Sequence, residues 1–415
     1  MGVYDLTLYV YNLTLLPMIF FSILFIILVL LNLFLDNKKK QYCNNVKYTP
    51  FVSVQIPIYN DPIALRCIKK CMEFDYPKDK YEIILVDDSS NVKTQKLLKD
   101  LAERNSGFLK YIHRDSREGF KAGALKNAMS ITKGEIIVIF DSDWIPKKDF
   151  LKRIVKPFSN PKVAIVQTRQ GFYNRQNNLI TRFAAYLLMI YHTIIMPINN
   201  KINCVFFCGT AGAIRRKYFE EVGGWKLYSL TEDSDISVKL LMKGYKTIYI
   251  DMETPSEVPA TLENFVKQQM RWCYGNARVF FDNSFKILFE GKLSLKQRFM
   301  IIFITLANIS APFVLLMTLF GFGGWFLGDP KLFEVQDIYT FFLRFVYTAG
   351  FLLMGFVTLY KQKLLKEFPY LILSGLTLGL VVAVANTIAF SRAIFNNHLG
   401  WYCTPKQHNT KIVRK

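Results

Sequence analysis

The sequence predicts an α/β domain held between apolar helical segments that could cross a membrane. Leu, Ile and Phe are concentrated at the two ends of the 415-residue chain, whereas charged residues are concentrated between them. In that middle part, short β-branched runs alternate with charged stretches of helical pattern, which is typical of strands joined by crossover helices. The chain is 51% hydrophobic, which excludes a disordered protein.

The net charge of +21 has three interpretations: binding of nucleic acid, of an anionic membrane surface, or of substrates that carry phosphate. No basic stretch has the aromatic spacing of a nucleic-acid module, so we expect no nucleic-acid partner. Positive loops beside apolar spans fit a membrane protein better. The 7 cysteines form no CxxC pair and are accompanied by only 4 histidines, a pattern that favours reduced thiols over a disulfide framework or structural zinc.

Residues 1–36 predict an N-terminal transmembrane anchor. Leu13–Leu35 is almost entirely apolar, about the length needed to cross a ~30 Å hydrocarbon core. Three lysines, Lys38–Lys40, follow at once. A signal peptide has its positive charge before the apolar run, so the anchor is expected to stay uncleaved, with its N-terminus outside the cell.

Residues 37–296 predict a cytosolic domain. Strands are expected at Val52–Ile58, Tyr81–Val86 and Glu135–Phe140. Leu179–Ile198 is apolar but contains Arg182, His192 and Pro197, so an interfacial helix is expected there.

Residues 297–391 predict membrane helices, followed by a basic cytosolic tail at 392–415. Phe299–Leu327 and Ile338–Tyr360 suit full spans, and the lysines just after Tyr360 indicate a cytosolic loop. The charge-free Tyr370–Phe390 is ambiguous. Hydropathy favours a third span, whereas the positive tail favours a helix that lies along the interface or re-enters.

Carboxylates follow two of the predicted strands. Asp87-Asp88 comes directly after one strand, and Asp141-Ser142-Asp143 comes after another. Ligands of such sheets bind at the carboxyl ends of the strands, although a loop or helix cap would explain Asp87-Asp88 equally well. The Asp141 and Asp143 pair suits Mg²⁺ or Mn²⁺, because these ions prefer oxygen ligands and commonly bridge to a diphosphate.

Two later motifs combine a structural and a chemical interpretation. Thr231-Glu232-Asp233 precedes an apolar periodic run, so it predicts a helix start, and Asp233 could also act there as a general base. Gln268, Arg271 and Trp272 fall on one helix face. Arg can neutralise a diphosphate and Trp can stack on a sugar ring, but both are also ordinary in an amphipathic helix at a membrane.

Seven motifs occur together in one order: Ile56-Pro57-Ile58-Tyr59-Asn60-Asp61, Asp87-Asp88, Lys121-Ala122-Gly123-Ala124-Leu125, Asp141-Ser142-Asp143, Cys208-Gly209-Thr210-Ala211-Gly212, Thr231-Glu232-Asp233 and Gln268–Trp272. In this set the chain resembles the membrane-embedded family 2 glycosyltransferases, especially cellulose synthase and the cellulose-synthase-like mannan synthases. The resemblance runs from about Val52 to Phe280, with a weaker likeness at Trp401–Lys406. It implies a GT-A-type domain with a Rossmann-like mixed sheet.

The resemblance also implies roles for single residues. The donor nucleotide would be bound by Pro57, Tyr59, Asp61, Asp87, Asp88, Lys121 and Asp141. The metal would be held by Asp141 and Asp143, and Asp233 would be the catalytic base. The acceptor and diphosphate would be bound by Cys208, Glu232, Gln268, Arg271 and Trp272. A gating loop would include Trp401, Thr404 and Lys406.

The implied activity is inverting, processive transfer of a sugar from a UDP- or GDP-sugar to a growing β-linked glycan. The resemblance also implies that synthesis is coupled to secretion across the plasma membrane. The sequence does not identify accessory subunits. Two alternatives are kept at this point. One is transfer of a single sugar to a lipid, as in ceramide glucosyltransferase or polyprenyl-phosphate glycosyltransferases. The other is a membrane scaffold or transporter without catalytic activity.

Overall fold

The computed structural model describes residues 2–34, 48–327, 347 and 349–403. Its centre is a seven-stranded mixed sheet with strand order β3-β2-β1-β4-β6-β5-β7. The strands are β1 (Val52–Ile58), β2 (Tyr81–Asp87), β3 (Leu109–His113), β4 (Ile136–Ile139), β5 (Val163–Phe172), β6 (Gly212–Arg215) and β7 (Lys246–Ser256).

The predicted strands at the centre of the sheet are present, because β1, β2 and β4 are apolar runs that can be covered on both faces. β1 pairs in parallel with β2 and with β4, so that Val52 faces Tyr81 on one side and Ile136 on the other. β6 runs antiparallel to both β4 and β5, which the alternation of strands and helices did not predict.

Helices cover the sheet on both faces. In the α/β part they are α2 (Ala64–Met72), α3 (Val92–Arg104), α4 (Phe120–Ala128), α5 (Phe150–Ile154), α6 (Leu179–Ile190), α7 (Met196–Lys201), α8 (Arg216–Glu221), α9 (Glu232–Met242) and α10 (Leu262–Phe289). A π-helical turn, Tyr191–Ile195, joins α6 to α7. The apolar helices outside it are α1 (Val3–Phe34), α11 (Leu295–Leu306), α12 (Ser310–Phe326), α13 (Gly350–Lys361) and α14 (Phe368–Ile394).

Four helical stretches in the described residues are long and apolar enough to cross a membrane: Val3–Phe34, Leu179–Lys201, Leu295–Phe326 and Leu365–Ile394. The first and third agree with the predicted anchor and first C-terminal span. In Leu179–Lys201, 67% of the most apolar stretch is buried inside the protein. There Ile190, Ile194 and Ile198 pack in one cluster with Leu28 of α1, so this segment joins the α/β domain to the first membrane helix.

The predicted span Ile338–Tyr360 is described only in part. Within it the described helix is α13, whose 12 residues are too few to cross a ~30 Å core alone. Residues 328–346 lie outside the described part of the chain, as does residue 348. At the end of α13, Lys361 Nζ donates to Asn32 Oδ1 at 2.5 Å, so this end lies beside the C-terminal end of α1.

α14 contacts the α/β part of the protein at both of its ends. Just before it begins, Glu367 accepts hydrogen bonds from Tyr186 Oη at 2.7 Å and Arg175 Nη2 at 3.1 Å. Near its C-terminal end, the carbonyl of Ala393 accepts from Arg278 Nη1 of α10 at 3.2 Å. The helix therefore packs along α6 and α10 and returns the chain to the α/β domain.

Candidate active site

A cavity of about 400 Å³ lies where the carboxyl ends of the central strands meet α9 and α10. It is the place where a sheet of this kind is expected to bind ligands. Fourteen of the residues named from the sequence line it: Pro57, Tyr59, Asp61, Asp88, Lys121, Asp141, Asp143, Cys208, Glu232, Asp233, Gln268, Arg271, Trp272 and Trp401.

Three of the named residues do not appear in that lining. Asp87 is fully buried beneath the cavity, where it accepts hydrogen bonds from the Ser89 amide and from Tyr111 Oη, both at 2.9 Å. It fixes the loop after β2 and does not line the cavity. Thr404 and Lys406 lie outside the described residues.

The carboxylates beside β1 and β2 are held in fixed positions. Asp88 accepts two hydrogen bonds from Arg114, at 2.6 Å from Nε and 2.5 Å from Nη2. Asp61 accepts from Ser142 Oγ at 2.5 Å. Ser142 is the middle residue of the Asp141-Ser142-Asp143 triplet, so the end of β1 and the end of β4 are tied together at the cavity.

Lys121 crosses the cavity to reach the end of β4. Its Nζ donates to Asp141 Oδ1 at 2.5 Å and to the carbonyl of Gly209 at 3.0 Å. Burial alone would lower the pKa of Lys121, but the carboxylates of Asp141 and Glu232 outweigh it, so the pKa is raised and the ammonium stays charged. A fixed cation beside Asp141 is suited to a phosphate of an incoming ligand.

Asp141 and Asp143 supply two oxygen ligands of the kind that Mg²⁺ and Mn²⁺ prefer. The amide of Glu257 donates to Asp143 Oδ2 at 2.8 Å, which orients that carboxylate. Within the described chain, no group of three or more His, Cys, Asp or Glu side chains is arranged to hold a metal ion. The donor set fits an ion that completes its coordination with water and ligand phosphates.

Glu232 and Asp233 form the first turn of α9, as the sequence predicts. Burial, reinforced by the neighbouring charge of Asp233, raises the pKa of Glu232 to about 7 despite the opposing cations Lys121 and Arg271. Burial likewise raises the pKa of Asp233, with Lys121 opposing it. A carboxylate with a raised pKa is a stronger proton acceptor, which suits a general base.

Gly209 allows the Cys208-Gly209-Thr210 loop to approach this base. Its φ is +75°, and a Cβ at this position would lie 2.9 Å from Asp233 Oδ2. Cys208 also lines the cavity, but burial raises the pKa of its thiol well above the usual value, so it is a neutral wall residue and not a nucleophile.

Gln268, Arg271 and Trp272 of α10 all line the cavity, which supports the chemical over the purely amphipathic interpretation of this helix. Arg271 Nη1 donates to the carbonyl of Leu230 at 3.0 Å. Its buried Nε has no hydrogen-bond partner among the described residues. Gly275 allows α10 to lie close to Thr231 at the start of α9, because a Cβ at this position would be only 2.6 Å from Thr231 Cγ2.

The segment after α14 closes one side of the cavity. The Trp401 ring stacks on Phe120, with centroids 4.7 Å apart and an interplanar angle of 6°. Tyr402 Oη donates to Asn264 Oδ1 of α10 at 2.6 Å. The chain therefore returns from the membrane helices to the site, as the predicted gating segment requires.

Some lining residues carry no motif signal and were not predicted from the sequence. Arg117 lies in the loop four residues before Lys121, and its guanidinium carbon lies 3.3 Å from the centroid of the Tyr59 ring. Glu257 follows β7, a strand that was not predicted. Proximity to the lysine motif was the only available signal for Arg117.

Comparison with known proteins defines the class to which this fold and site belong. A mannosyltransferase of Pyrobaculum calidifontis, solved with GDP-Man and Mn²⁺, superimposes with a TM-score of 0.65 over 94% of this chain and 100% of its own, at 19% identity. That likeness confirms the GT-A-type fold. The protein therefore has a GT-A-type domain joined to long apolar helices.

Residues 136–386 match the family described as glycosyl transferase family group 2, and the chain belongs to that family. A probable glucomannan 4-beta-mannosyltransferase of Oryza sativa subsp. japonica is 37% identical over 283 residues, which are 64% of this chain. The match covers only 47% of the rice protein, so the chain spans about half the length of this relative. The resemblance to the family 2 glycosyltransferases is thus confirmed.

Proposed function

We propose that this protein transfers a sugar, with inversion, from a nucleotide-diphosphate sugar to a glycan hydroxyl at the cavity described above. One observation carries the proposal. A fixed cation, Lys121, a carboxylate pair at the end of β4 and a buried base candidate, Asp233, converge on one cavity. These are the groups that a diphosphate leaving group and an attacking hydroxyl require.

In the proposed mechanism, Asp233 accepts the proton of the acceptor hydroxyl while that oxygen attacks the anomeric carbon of the donor. The bond from the anomeric carbon to the diphosphate oxygen breaks, and the nucleoside diphosphate leaves. Lys121 and Arg271 stabilise the negative charge that develops on it. Attack from the opposite face inverts the anomeric centre, so an α-donor gives a β-linkage.

A divalent ion fits the same step. Asp141 and Asp143 would hold it, and when bound it would supply positive charge to the diphosphate. The Pyrobaculum calidifontis enzyme was solved with GDP-Man and Mn²⁺, which supports a nucleotide-sugar donor and a divalent cofactor. Mg²⁺ and Mn²⁺ are both compatible with the donor set.

The product proposed is a β-linked glycan polymer. The rice relative is a probable glucomannan 4-beta-mannosyltransferase, and the alignment includes more than half of this chain. Trp272 lines the cavity and offers a flat surface on which each new terminal sugar can stack. Transfer of one sugar to a membrane lipid remains the second candidate, since the same bond-forming step serves it.

The proposed topology places the α/β domain and the segment after α14 in the cytosol, with α1 and α11–α12 crossing the plasma membrane. Trp401 reaches the cavity from the end of α14, which supports a cytosolic tail. Because both ends of α14 contact the α/β part of the protein, we place this helix along the membrane interface. Of the two alternatives left by the sequence, this choice agrees with the positive tail.

Nucleotide release tests the proposed reaction. The purified chain in lipid nanodiscs is offered GDP-mannose, UDP-glucose or UDP-N-acetylglucosamine with Mn²⁺. At least one donor is expected to release its nucleoside diphosphate, and excess EDTA is expected to stop that release. Release that continues at full rate in EDTA, for wild type and Asp143→Asn alike, would contradict the metal assignment. Asp79→Asn makes the same change at an exposed position and is the control for Asp143→Asn; it is expected to release nucleotide like wild type.

A further inference from the structure

Arg117 occupies an unusual place at the nucleotide end of the cavity. Its guanidinium carbon lies 3.3 Å from the ring centroid of Tyr59, and 5.6 Å from those of Phe120 and Trp401. Three aromatic rings from three separate parts of the chain thus surround one cation. Such an arrangement holds the guanidinium plane nearly fixed against the face of Tyr59.

The hydrogen-bond donors of Arg117 are unused within the described chain. Its Nε is buried with no hydrogen-bond partner, and the guanidinium forms no ion pair with a described carboxylate. Arg114, three residues earlier, shows the contrast. It donates to both oxygens of Asp88 and to the carbonyls of Glu118 and Phe120. Arg114 is thus a structural residue, whereas Arg117 has donors left for a ligand.

The backbone around Arg117 is also held in uncommon conformations. Phe120 has a φ of +48°, and Asn60, next to Tyr59, has a φ of +48° as well. Non-glycine residues in this region are strained, and such strain is often found where a site must present a side chain in one position. Here the two loops bring Tyr59 and Arg117 into contact across the cavity.

Geometry then decides which ligand atoms Arg117 can reach. Because the ring of Tyr59 covers one face of the guanidinium, the N–H groups point outward in its plane. An acceptor that lies in this plane is needed, and a flat ring ligand suits a cavity lined here by Tyr59 and Trp401 better than a hydrated phosphate does. The keto oxygen of a nucleobase is such an acceptor: guanine offers O6 beside N7 and uracil offers O4, whereas adenine presents an amino group instead.

We propose that Arg117 reads the nucleobase of the donor, selecting bases that carry a keto oxygen over adenine. This inference rests on the proposed nucleotide-sugar function. It adds a specificity-determining residue to the nucleotide pocket formed by Pro57, Tyr59, Asp61 and Asp88. Tyr59 acts in it as the residue that positions the guanidinium.

Binding of GDP, UDP and ADP to the full chain in nanodiscs, measured by calorimetry with Mn²⁺ present, tests this role. Wild type is expected to bind GDP or UDP at least about tenfold more tightly than ADP, because Arg can bond the keto oxygen of guanine or uracil but meets the amino group of adenine. Arg117→Ala is expected to bring this ratio to within about threefold. Arg117→Lys keeps the charge but loses the planar fork, so it is expected to lose most of the selectivity too.

Several results would overturn the inference. If wild type binds ADP as tightly as GDP and UDP, the inference is wrong and no variant is needed. If Arg117→Ala keeps the selectivity of wild type, the inference is also wrong. If Arg117→Ala weakens the binding of GDP, UDP and ADP equally, Arg117 contacts the diphosphate that they share and does not read the base. Arg104→Ala, an exposed arginine in α3, should leave all three affinities unchanged. A wild type that binds no nucleoside diphosphate would instead contradict the proposed function itself.

Discussion

At the scale of single residues, the chemistry depends on how burial and charge are distributed around Asp233. The base candidate lies at the start of a helix, under a loop whose glycine leaves no room for a side chain. Burial raises the pKa of Asp233, while the ammonium of Lys121 opposes that rise. The same lysine donates to Asp141, so one cation influences both the base and the end of β4 where we place the diphosphate.

We predict that Asp233→Asn removes transfer but leaves donor binding nearly intact. The base acts on the acceptor hydroxyl, so ground-state affinity for the donor should hardly change, whereas loss of a general base costs about 10²–10⁴-fold in rate. Nucleotide release and donor affinity are measured on the same preparation, with Asp79→Asn as the control. A collapse of donor affinity would show that Asp233 binds or supports the donor, and the base would have to be sought elsewhere.

At the scale of elements, the site depends on the close approach of α10 to the start of α9. Gly275 sits where the helices meet, beside Thr231. Any side chain here must push the helices apart or force Thr231 to move. Because Arg271 and Trp272 are on α10 and Asp233 is on α9, a small separation would misplace groups that must act on the same substrate.

We therefore predict that Gly275→Ala lowers kcat/KM for transfer by about tenfold or more, because overpacking displaces α10 and a shift of ~1 Å at the reacting groups can cost about 10²-fold in rate. Thr231→Ala in the same chain is expected to restore part of the loss. Their coupling is measured by a double-mutant cycle. Gly375→Ala, in α14 with no atom within 4 Å of the added carbon, is the helical control. Additive effects of the two substitutions would contradict the contact.

The second element in question is α14. At ~1.5 Å per residue, its 27 residues would extend about 40 Å, enough to cross a bilayer. Yet Leu371 and Phe390 are buried against other helices, while Leu373, Leu380 and Ile388 are exposed. The uncovered apolar face indicates contact with lipid, as a span would also show. The contacts of both helix ends with the α/β part are what favour a position along the membrane interface.

Impermeant thiol labelling of single-cysteine variants in intact cells tests this placement. Lys363→Cys and His398→Cys flank α14, and both are expected to be protected until the cells are permeabilised. Gly2→Cys, at the opposite end of α1, is expected to react at once and serves as the control. Labelling of the His398 position alone would make α14 a true span and would place the cavity segment on the wrong side of the membrane.

The sequence predicted some elements well and others not at all, for physical reasons. β1, β2 and β4 are short segments rich in Val and Ile and buried on both faces, so their β-branched composition favours strands. β6 has four residues, and its antiparallel direction depends on pairing with β4 and β5, which local pattern does not encode. The position of α14 was left open because hydropathy measures composition and not which neighbours cover a helix.

In the site, too, local sequence pattern predicted some residues, whereas others depend on their neighbours in the fold. Paired carboxylates after a strand and the Gln268–Trp272 motif are visible as spacing, and fourteen of the named residues line one cavity. Asp87 has the same residue type as Asp88 but turns into the sheet, toward Tyr111. Arg117 is a single arginine in a loop, and its contact with Tyr59 exists only because β1 and β3 end at one edge of the sheet.

At the scale of the whole molecule, packed helices connect the cavity with the helices that could cross a membrane. α1 packs against the apolar segment Leu179–Lys201, which leads to the cavity wall at Cys208, and α14 returns to the same cavity through Trp401. This arrangement suits an enzyme that takes a water-soluble donor on one side and extends a product held at the membrane. A lipid acceptor would also be held at the membrane, so the polymer product stays a proposal that only analysis of the product can separate from a single lipid-linked sugar.

Analysis of the product tests this central claim most directly. The purified chain in nanodiscs is incubated with the donor whose nucleotide it releases, and the product is sized, extracted with organic solvent and examined by NMR at its anomeric protons. We predict a β-linked polymer that remains in the aqueous or insoluble fraction. A product that carries one sugar and passes entirely into the organic phase, or one with α-linkages, would contradict it.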